Sequence, residues 1–199
     1  MALVQGAFPS SLQSDVLAVM DRMAVGPHEP HADGRYSSTV HGERILIPYR
    51  VYFPESRPTD FAGVSPQQMS IVAAIMTRHC SGFQREAWSA QLCLYPADWA
   101  VPFVAFLLGD YVAQVLSAVE SGLSPEWESL FANSPPELRP SCRQLNHRIV
   151  SYWNTYYRGW QNYRRFTDYP GYIVAKRLGL WEPGIAPRLT RLRGPQAPS

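Results

Sequence analysis

The chain has 199 residues, of which 46% are hydrophobic and 13% aromatic, and this composition supplies a sizeable core and excludes a wholly disordered protein. Three cysteines without a CxxC pair exclude a disulfide framework and suit a reducing compartment. The net charge is only +2, the N-terminus shows no secretory signal, and lysine is nearly absent, as is typical of a GC-rich genome. We therefore expect a cytoplasmic, bacterial protein.

The first predicted helix runs from Ser10 to Met23, where a serine cap precedes apolar residues at helical spacing. RYSSTV and ILIPYRVYF flank the tetrapeptide HGER and predict a β-hairpin over about residues 35–53, since both are rich in β-branched and aromatic residues. Pro48 indicates an edge strand, because proline cannot donate to a ladder. The buried face of the second strand is predicted to be Ile45, Ile47, Tyr49, Val51 and Phe53.

Three helices are predicted between the hairpin and residue 122. SPQQ gives the first a capping box, with Ser65 as the cap and Gln68 at the third helical position. Pro96 separates the second helix, residues 82–94, from a long central helix over residues 97–122. The second helix is predicted to face inward through Phe83, Ala87, Ala90 and Leu94.

The apolar run at residues 101–119 has nearly the length of a transmembrane helix, but Asp110 lies at its middle. Polar residues recur along one side of it, which favours a helix inside a soluble bundle and no membrane association. An unpaired charge in a core is costly, so Asp110 needs a partner. We expect the basic helix at residues 144–165 to supply this partner, as a structural buried pair between Asp110 and Arg148 or through a tyrosine hydroxyl. A catalytic carboxylate in a pocket between helices is the alternative.

Residues 152–169, YWNTYYRGWQNYRRFTDY, follow Ser141 in what is predicted to be one long helix packed against the central one. On a helical wheel the rings share one side with Leu145 and Ile149, opposite most of the polar residues. This separation favours a buried amphipathic helix over a base-stacking platform, which would place arginines among the rings. The arginines open for binding are then Arg158 and Arg165 on the polar face and Arg164 beside the rings.

Charge is divided unevenly along the chain. Residues 1–138 hold 7 arginines and 14 acidic residues, whereas residues 139–199 hold 11 basic and 2 acidic residues. This basic C-terminal third could contact nucleic acid, an acidic partner or the protein's own acidic part. We expect residues 182–199 to be a disordered basic tail that adds Arg188, Arg191 and Arg193 to a binding surface. A homo-oligomer formed head to tail is also compatible with the asymmetry.

Catalytic and cofactor signatures are missing from the sequence. It contains no GxGxxG, GxxxxGK[ST] or GxSxG motif. His28 and His31 lie in a loop that prolines interrupt. Cys80 and Cys142 belong to no CxxC motif and the sequence has no HxxxH pair, so the spacing does not indicate a zinc site. We therefore expect no catalytic residue, no cofactor and no metal.

The predicted fold is mainly α: a single-domain helical bundle over residues 1–181 with a small N-terminal β-hairpin. For function, the missing signatures favour a non-catalytic protein-binding or adaptor protein that contacts its partner through a helix face or the hairpin edge. One alternative is a nucleic-acid-associated protein that uses the basic C-terminal third. The other, less favoured, is an enzyme with a pocket between helices around Asp110.

Overall fold

The structure is a computed structural model that describes residues 2–23, 34–134, 138–159 and 161–185. It confirms a mainly α fold with a small β-hairpin near the N-terminus. The α-helices are α1 (Ala2–Gln5), α2 (Gln13–Arg22), α3 (Pro66–Met76), α4 (Gly82–Cys93), α5 (Val101–Leu107), α6 (Ala113–Gly122), α7 (Pro125–Ala132), α8 (Leu138–Tyr152) and α9 (Pro170–Arg177). The strands are β1 (Arg35–Val40) and β2 (Glu43–Pro48). Shorter turns of helix are the 3-10 segments Ser10–Leu12, Pro58–Phe61, Asp98–Ala100, Gln161–Tyr163 and Phe166–Asp168, and the π-helical turn Trp153–Tyr157.

The helices α2, α3, α4, α6 and α9 pack side by side in that order. Inside this array, residues 70–76 of α3 are all buried. The capping box at the start of α3 forms as the sequence predicts: Gln68 N donates to Ser65 Oγ at 3.1 Å, and Ser65 N donates to Gln68 Oε1 at 3.2 Å. Among the described residues, none of the helices combines the length and the apolar character needed to cross a bilayer.

Helices α4 and α6 run in the same direction through close contacts at both ends. Gly82 at the start of α4 lies against Val112, and Gly122 at the end of α6 lies against Cys93. Between them the chain returns through α5, which is buried along its whole length.

The predicted continuous helix over residues 97–122 is wrong, because α5 ends at Leu107 and α6 begins at Ala113. A Cβ on Gly109 would lie 2.8 Å from Leu145 Cδ2, so α8 approaches the chain closely at this break. Asp110 Oδ1 accepts the N–H of Val112 at 3.0 Å and so satisfies a donor at the start of α6. The break therefore places Asp110 in a loop between two helices instead of on a helix face.

The hairpin turns at His41 and Gly42, which both have positive φ, as a two-residue turn between right-twisted strands requires. Its second strand ends at Pro48, short of the predicted end, although Ile45, Ile47, Val51 and Phe53 are buried as expected. After Pro48 the chain pairs with the segment that follows α3: Val51 N donates to Arg78 O at 2.8 Å, and Cys80 N donates to Val51 O at 3.0 Å. This pairing brings residues 49–51 against residues 78–80.

The predicted long aromatic helix is correct only up to the π-helical turn. Gly159 has φ of 95° and ends the helical run, so residues 161–165 do not continue the predicted wheel. Trp153 is buried with Leu145 and Ile149, but Tyr156 is 53% exposed. The later rings fold back on the chain, as shown by the ring contacts Trp153–Phe166, Tyr157–Tyr169, Tyr163–Tyr169 and Phe166–Trp181.

Candidate functional site

Asp110 is buried and ion-paired, but its partners are Arg85 and Arg50 and not Arg148. Arg85 binds the carboxylate with two parallel contacts, Nε to Oδ2 at 2.6 Å and Nη2 to Oδ1 at 3.0 Å. Arg50 Nη2 adds a contact to Oδ2 at 3.3 Å. The predicted pair is wrong because the buried face of α4 presents Arg85 to the loop, whereas Arg148 Nη1 donates to Tyr36 Oη at 2.7 Å.

This pairing gives Asp110 a structural role. Burial alone would raise the pKa of the carboxyl group, but the hydrogen bonds and charge of Arg85, with smaller help from Val112 and Arg50, lower the pKa below its usual value. Both carboxylate oxygens are occupied by donors. A cavity of about 430 Å³ lies elsewhere, between the hairpin turn, α5 and α7, and Asp110 does not line it. In the part of the chain that the structure describes, Asp110 is therefore engaged in an ion pair and lies outside this cavity.

His79 is engaged by the fold through both ring nitrogens. Its Nε2 lies 2.7 Å from Phe53 O, and Ser81 N donates to its Nδ1 at 2.9 Å, so Nε2 is the donor and Nδ1 the acceptor. Within the part of the chain that the structure describes, no three His, Cys, Asp or Glu side chains are placed to hold a metal ion.

The arginines predicted for binding do not share one helix face. Arg165 pairs with Asp168 at 3.0 Å, Arg158 lies over the Trp153 ring at 5.9 Å, and Arg164 is exposed. Arg188, Arg191 and Arg193 lie outside the described residues, as does most of the predicted tail.

Part of the basic C-terminal third contacts the acidic part of the chain. Arg177 on α9 pairs with Glu128 on α7 and donates to the Leu123 carbonyl at 3.0 Å. At this point a basic residue of the C-terminal third and an acidic residue of the first 138 residues neutralise each other within the molecule.

Four arginines converge behind the hairpin, and we refer to Arg50, Arg78, Arg85 and Arg148 as the arginine cluster. The pairing of residues 49–51 with residues 78–80 brings Arg50 and Arg78 together, and both donate to Tyr49 O, at 2.9 and 3.2 Å. Arg85 reaches the same region from α4, where its Nη1 donates to the carbonyls of His79 and Cys80. Of these four, only Arg148 is predicted from the sequence, because a buried arginine leaves no periodic signal in a sequence.

Helix α4 presents an apolar side to solvent. We refer to Phe83, Ala87 and Ala90 of α4, together with Leu94 directly after its end, as the α4 stripe. The prediction that these residues face inward is wrong. Phe83 is 85% exposed, Leu94 is 67% exposed, and both alanines are exposed. The inward face consists instead of Arg85, Trp88, Ser89, Leu92 and Cys93, which are all buried.

Two candidate sites thus emerge from the described residues. The arginine cluster offers charged hydrogen-bond donors, and the α4 stripe offers exposed apolar area. The chain matches no family model, no curated protein and no solved structure.

Proposed function

We propose that the protein is a non-catalytic protein-binding or adaptor protein, and that an amphipathic helix of its partner docks on the α4 stripe. The observation that carries this proposal is the exposure of Phe83 and Leu94 at the two ends of one apolar helix face. Exposed apolar side chains in one contiguous patch are typical of binding surfaces, whereas isolated ones are common on any protein.

The geometry of the stripe favours a helix as its occupant. Its residues follow at spacings of four, three and four along α4, so they form one row about 16 Å long. Phe83 and Leu94 stand at the ends, and the small side chains of Ala87 and Ala90 leave a hollow between them. Such a hollow can receive the apolar ridge of another helix.

The size and the border of the stripe favour a different protein over a second copy of this chain. Four side chains offer on the order of a few hundred Å² of apolar area, which suits a short helical segment of a partner better than a stable homodimer, whose interface buries roughly 800 Å² per subunit or more. Glu86 borders the stripe, and Gln84 and Gln91 lie on its other side. A partner helix with a basic residue beside its apolar face would therefore complement it.

The other expected binding surfaces have less support. The N–H of Leu46 donates to Gly6 O at 2.7 Å, so the outer edge of β2 is already contacted at that residue. The hypothesis that the basic C-terminal third binds nucleic acid has less support, because Arg165 and Arg177 are ion-paired. A cytoplasmic location, included in this proposal, is compatible with free thiols at Cys80 and Cys93.

Selection of amphipathic helical peptides with basic borders, displayed on yeast against the purified protein, tests the proposal. The double variant Phe83→Ser, Leu94→Ser should bind the selected peptides at least about tenfold more weakly, because burial of each large apolar side chain contributes about 1.5–3 kcal/mol. Its unfolding free energy should change by less than about 0.5 kcal/mol per site, since both side chains are exposed.

The matched control is Leu17→Ser, which removes an exposed leucine from α2, outside the stripe. Peptide binding should be unchanged in this variant. Peptides that bind the double variant and the wild type equally would refute docking on the stripe. A dimer in light scattering that Phe83→Ser dissociates would instead identify a second copy as the occupant and overturn the assignment to a different protein.

A further inference from the structure

The arginine cluster carries more positive charge than its carboxylate balances. Arg85 and Arg50 bind Asp110, whereas Arg78 and Arg148 bind a backbone carbonyl and a tyrosine hydroxyl. Among the described residues, Asp110 is the only buried acid, so a single negative charge offsets the four positive charges of the cluster. Tyr36 supplies no second negative charge, because burial raises its pKa despite the nearby Arg78 and Arg148.

Three of these guanidinium groups lie around one pair of tyrosine rings. Arg50 and Arg78 share the Tyr49 carbonyl as an acceptor. The guanidinium carbon of Arg148 lies 5.6 Å from the centre of the Tyr49 ring and 5.9 Å from that of Tyr36, and the guanidinium carbon of Arg78 lies 5.7 Å from the centre of the Tyr36 ring. Donors from three separate segments therefore surround one small region.

Arg78 has donors that the described part of the protein does not use. The residue is 1% exposed, and only its Nη2 is hydrogen-bonded; Nε and Nη1 have no partner among the described residues. Burial, with the charge of Arg50 as a smaller cause, lowers the pKa of Arg78 to about 10, so it is still a cation at neutral pH. A buried cation with free donors opposes folding unless an anion accepts from them.

We propose that Arg50, Arg78 and Arg148 bind a small phosphate-type oxyanion, either inorganic phosphate or the phosphate group of a monoester. Guanidinium groups donate paired hydrogen bonds to such oxygens, and a tetrahedral anion can accept from donors that approach from several directions. A phosphate dianion carries two negative charges, so it offsets more of the surplus positive charge of the arginine cluster than a single carboxylate does. Asp110 and Arg85 hold Arg50 in place and do not contact the anion.

The anion approaches from the side of Arg148. Arg148, Tyr49 and Tyr152 are partly exposed, and Arg50 is 9% exposed, whereas Arg78 lies beneath them. Arg148 Nη1 donates a hydrogen bond to the hydroxyl of Tyr36. Its guanidinium can therefore exchange this acceptor for an oxyanion without disturbing the Asp110 pair.

Titration calorimetry and thermal unfolding with inorganic phosphate, phenyl phosphate and acetate, at constant ionic strength, test this site. We expect saturable binding of at least one phosphate compound, with a matching rise in Tm, and no comparable effect of acetate. Arg148→Gln should weaken phosphate binding at least tenfold. Arg78→Met should abolish it and leave the unliganded protein at least as stable as the wild type, because the unpaired buried charge is removed.

Arg165→Gln, an exposed arginine outside the cluster, is the control and should bind phosphate as the wild type does. Equal stabilisation of wild type and Arg148→Gln would show a general salt effect and overturn the proposal; so would acetate binding as tight as phosphate binding, or no binding in either phosphate arm. Binding of inorganic phosphate alone identifies the free anion, and tighter binding of phenyl phosphate identifies a monoester. If Arg78→Met does not fold, Arg148→Gln, at a partly exposed position, decides between these outcomes.

Discussion

At the scale of single residues, Asp110 connects three parts of the chain. Its carboxylate accepts from Arg85 on α4, from Arg50 after the hairpin, and from the N–H of Val112 at the start of α6. Because its side chain is 2% exposed, removal of its charge leaves two cations without their counter-ion in a poorly solvated place. The energetic role of Asp110 therefore depends on its charge.

Asp110→Asn should lower the unfolding free energy at pH 7 by about 3–5 kcal/mol, as is typical when one partner of a buried ion pair is removed. The lowered pKa of Asp110 also fixes the sign of the pH dependence. Its contribution is complete above the unfolded-state pKa of about 3.9, and it is lost as the pH falls through the lower folded-state pKa. Urea unfolding of both proteins between pH 7 and pH 2.5 should therefore show their difference shrinking below about pH 4.

Asp98→Asn is the control for this comparison. Asp98 pairs with His41 at 2.7 Å, but the two side chains are 63% and 51% exposed, so its loss should cost less than about 1 kcal/mol. A constant difference between wild type and Asp110→Asn across the whole pH range would contradict an ionised Asp110 as the origin of the stability.

The need of Asp110 for a partner could be predicted from the sequence, but the identity of the partner could not. A carboxylate in an apolar run requires a cation wherever the chain folds. Arg85 lies in a helix whose most apolar side is the α4 stripe, so the sequence places it at the surface, where arginines usually lie. Only the packing of α4 against α6 turns Arg85 inward.

At the scale of elements, α4 shows why periodicity alone can choose the wrong face. The α4 stripe has the more uniform apolar spacing, but the opposite face holds the larger rings and chains of Trp88 and Leu92. Trp88 Nε1 also donates to Ser56 O, which holds this face against the loop before α3. The face with the larger side chains is the one that is buried, because the free energy gained on burial grows with the apolar area removed from water.

The break between α5 and α6 carries a signal that the sequence does contain. Glycine followed by aspartate is typical of a turn and of a helix start, since aspartate can accept a free N–H of the next helix. Gly109 and Asp110 occupy this place, where Gly109 admits Leu145. The apolar residues on both sides hide the signal, because they extend the helical periodicity across it.

Gly122→Ala tests the close contact between α4 and α6. A Cβ at this position would lie 2.5 Å from Cys93 Cβ and 3.1 Å from its Sγ, so the helices must separate. We expect a loss of about 1–3 kcal/mol in urea unfolding, although alanine favours a helix over glycine by about 1 kcal/mol. Cys93→Gly should lessen this loss in the double variant, which a double-mutant cycle measures as a coupling energy.

Ser121→Ala, at an exposed neighbouring position of α6, should change stability by less than about 0.5 kcal/mol. If Gly122→Ala is more stable than the wild type, the stabilisation from the helix propensity of alanine exceeds the cost of the contact with Cys93. In that case α4 and α6 would not approach each other as closely as the structure has them.

At the scale of the whole molecule, the helical array predicts one cooperative unit. Helices α2, α3, α4, α6 and α9 each bury a face against the next, and α5 is enclosed behind them. The sequence predicts the helical class from its periodicity, but not this order, since the parallel run of α4 and α6 depends on where α5 returns the chain. Long-range contacts of this kind leave no local pattern.

Thiol labelling measures whether the array opens as a unit. Cys93 is 3% exposed at the α4–α6 contact, its carbonyl accepts from Trp127 Nε1 at 2.9 Å, and burial raises the pKa of its thiol to about 12. In a Cys80→Ser, Cys142→Ser background, we expect a disulfide reagent to label Cys93 at least about a thousandfold more slowly than the unfolded chain, as a stability of 5 kcal/mol or more implies. The labelling rate should rise with urea as steeply as global unfolding followed by circular dichroism.

The control is the exposed Cys80, which should react at once when it is the only cysteine, in a Cys93→Ser, Cys142→Ser background. Slow labelling of Cys93 with little dependence on urea would show instead that α4 separates from α6 locally while the rest of the array stays folded.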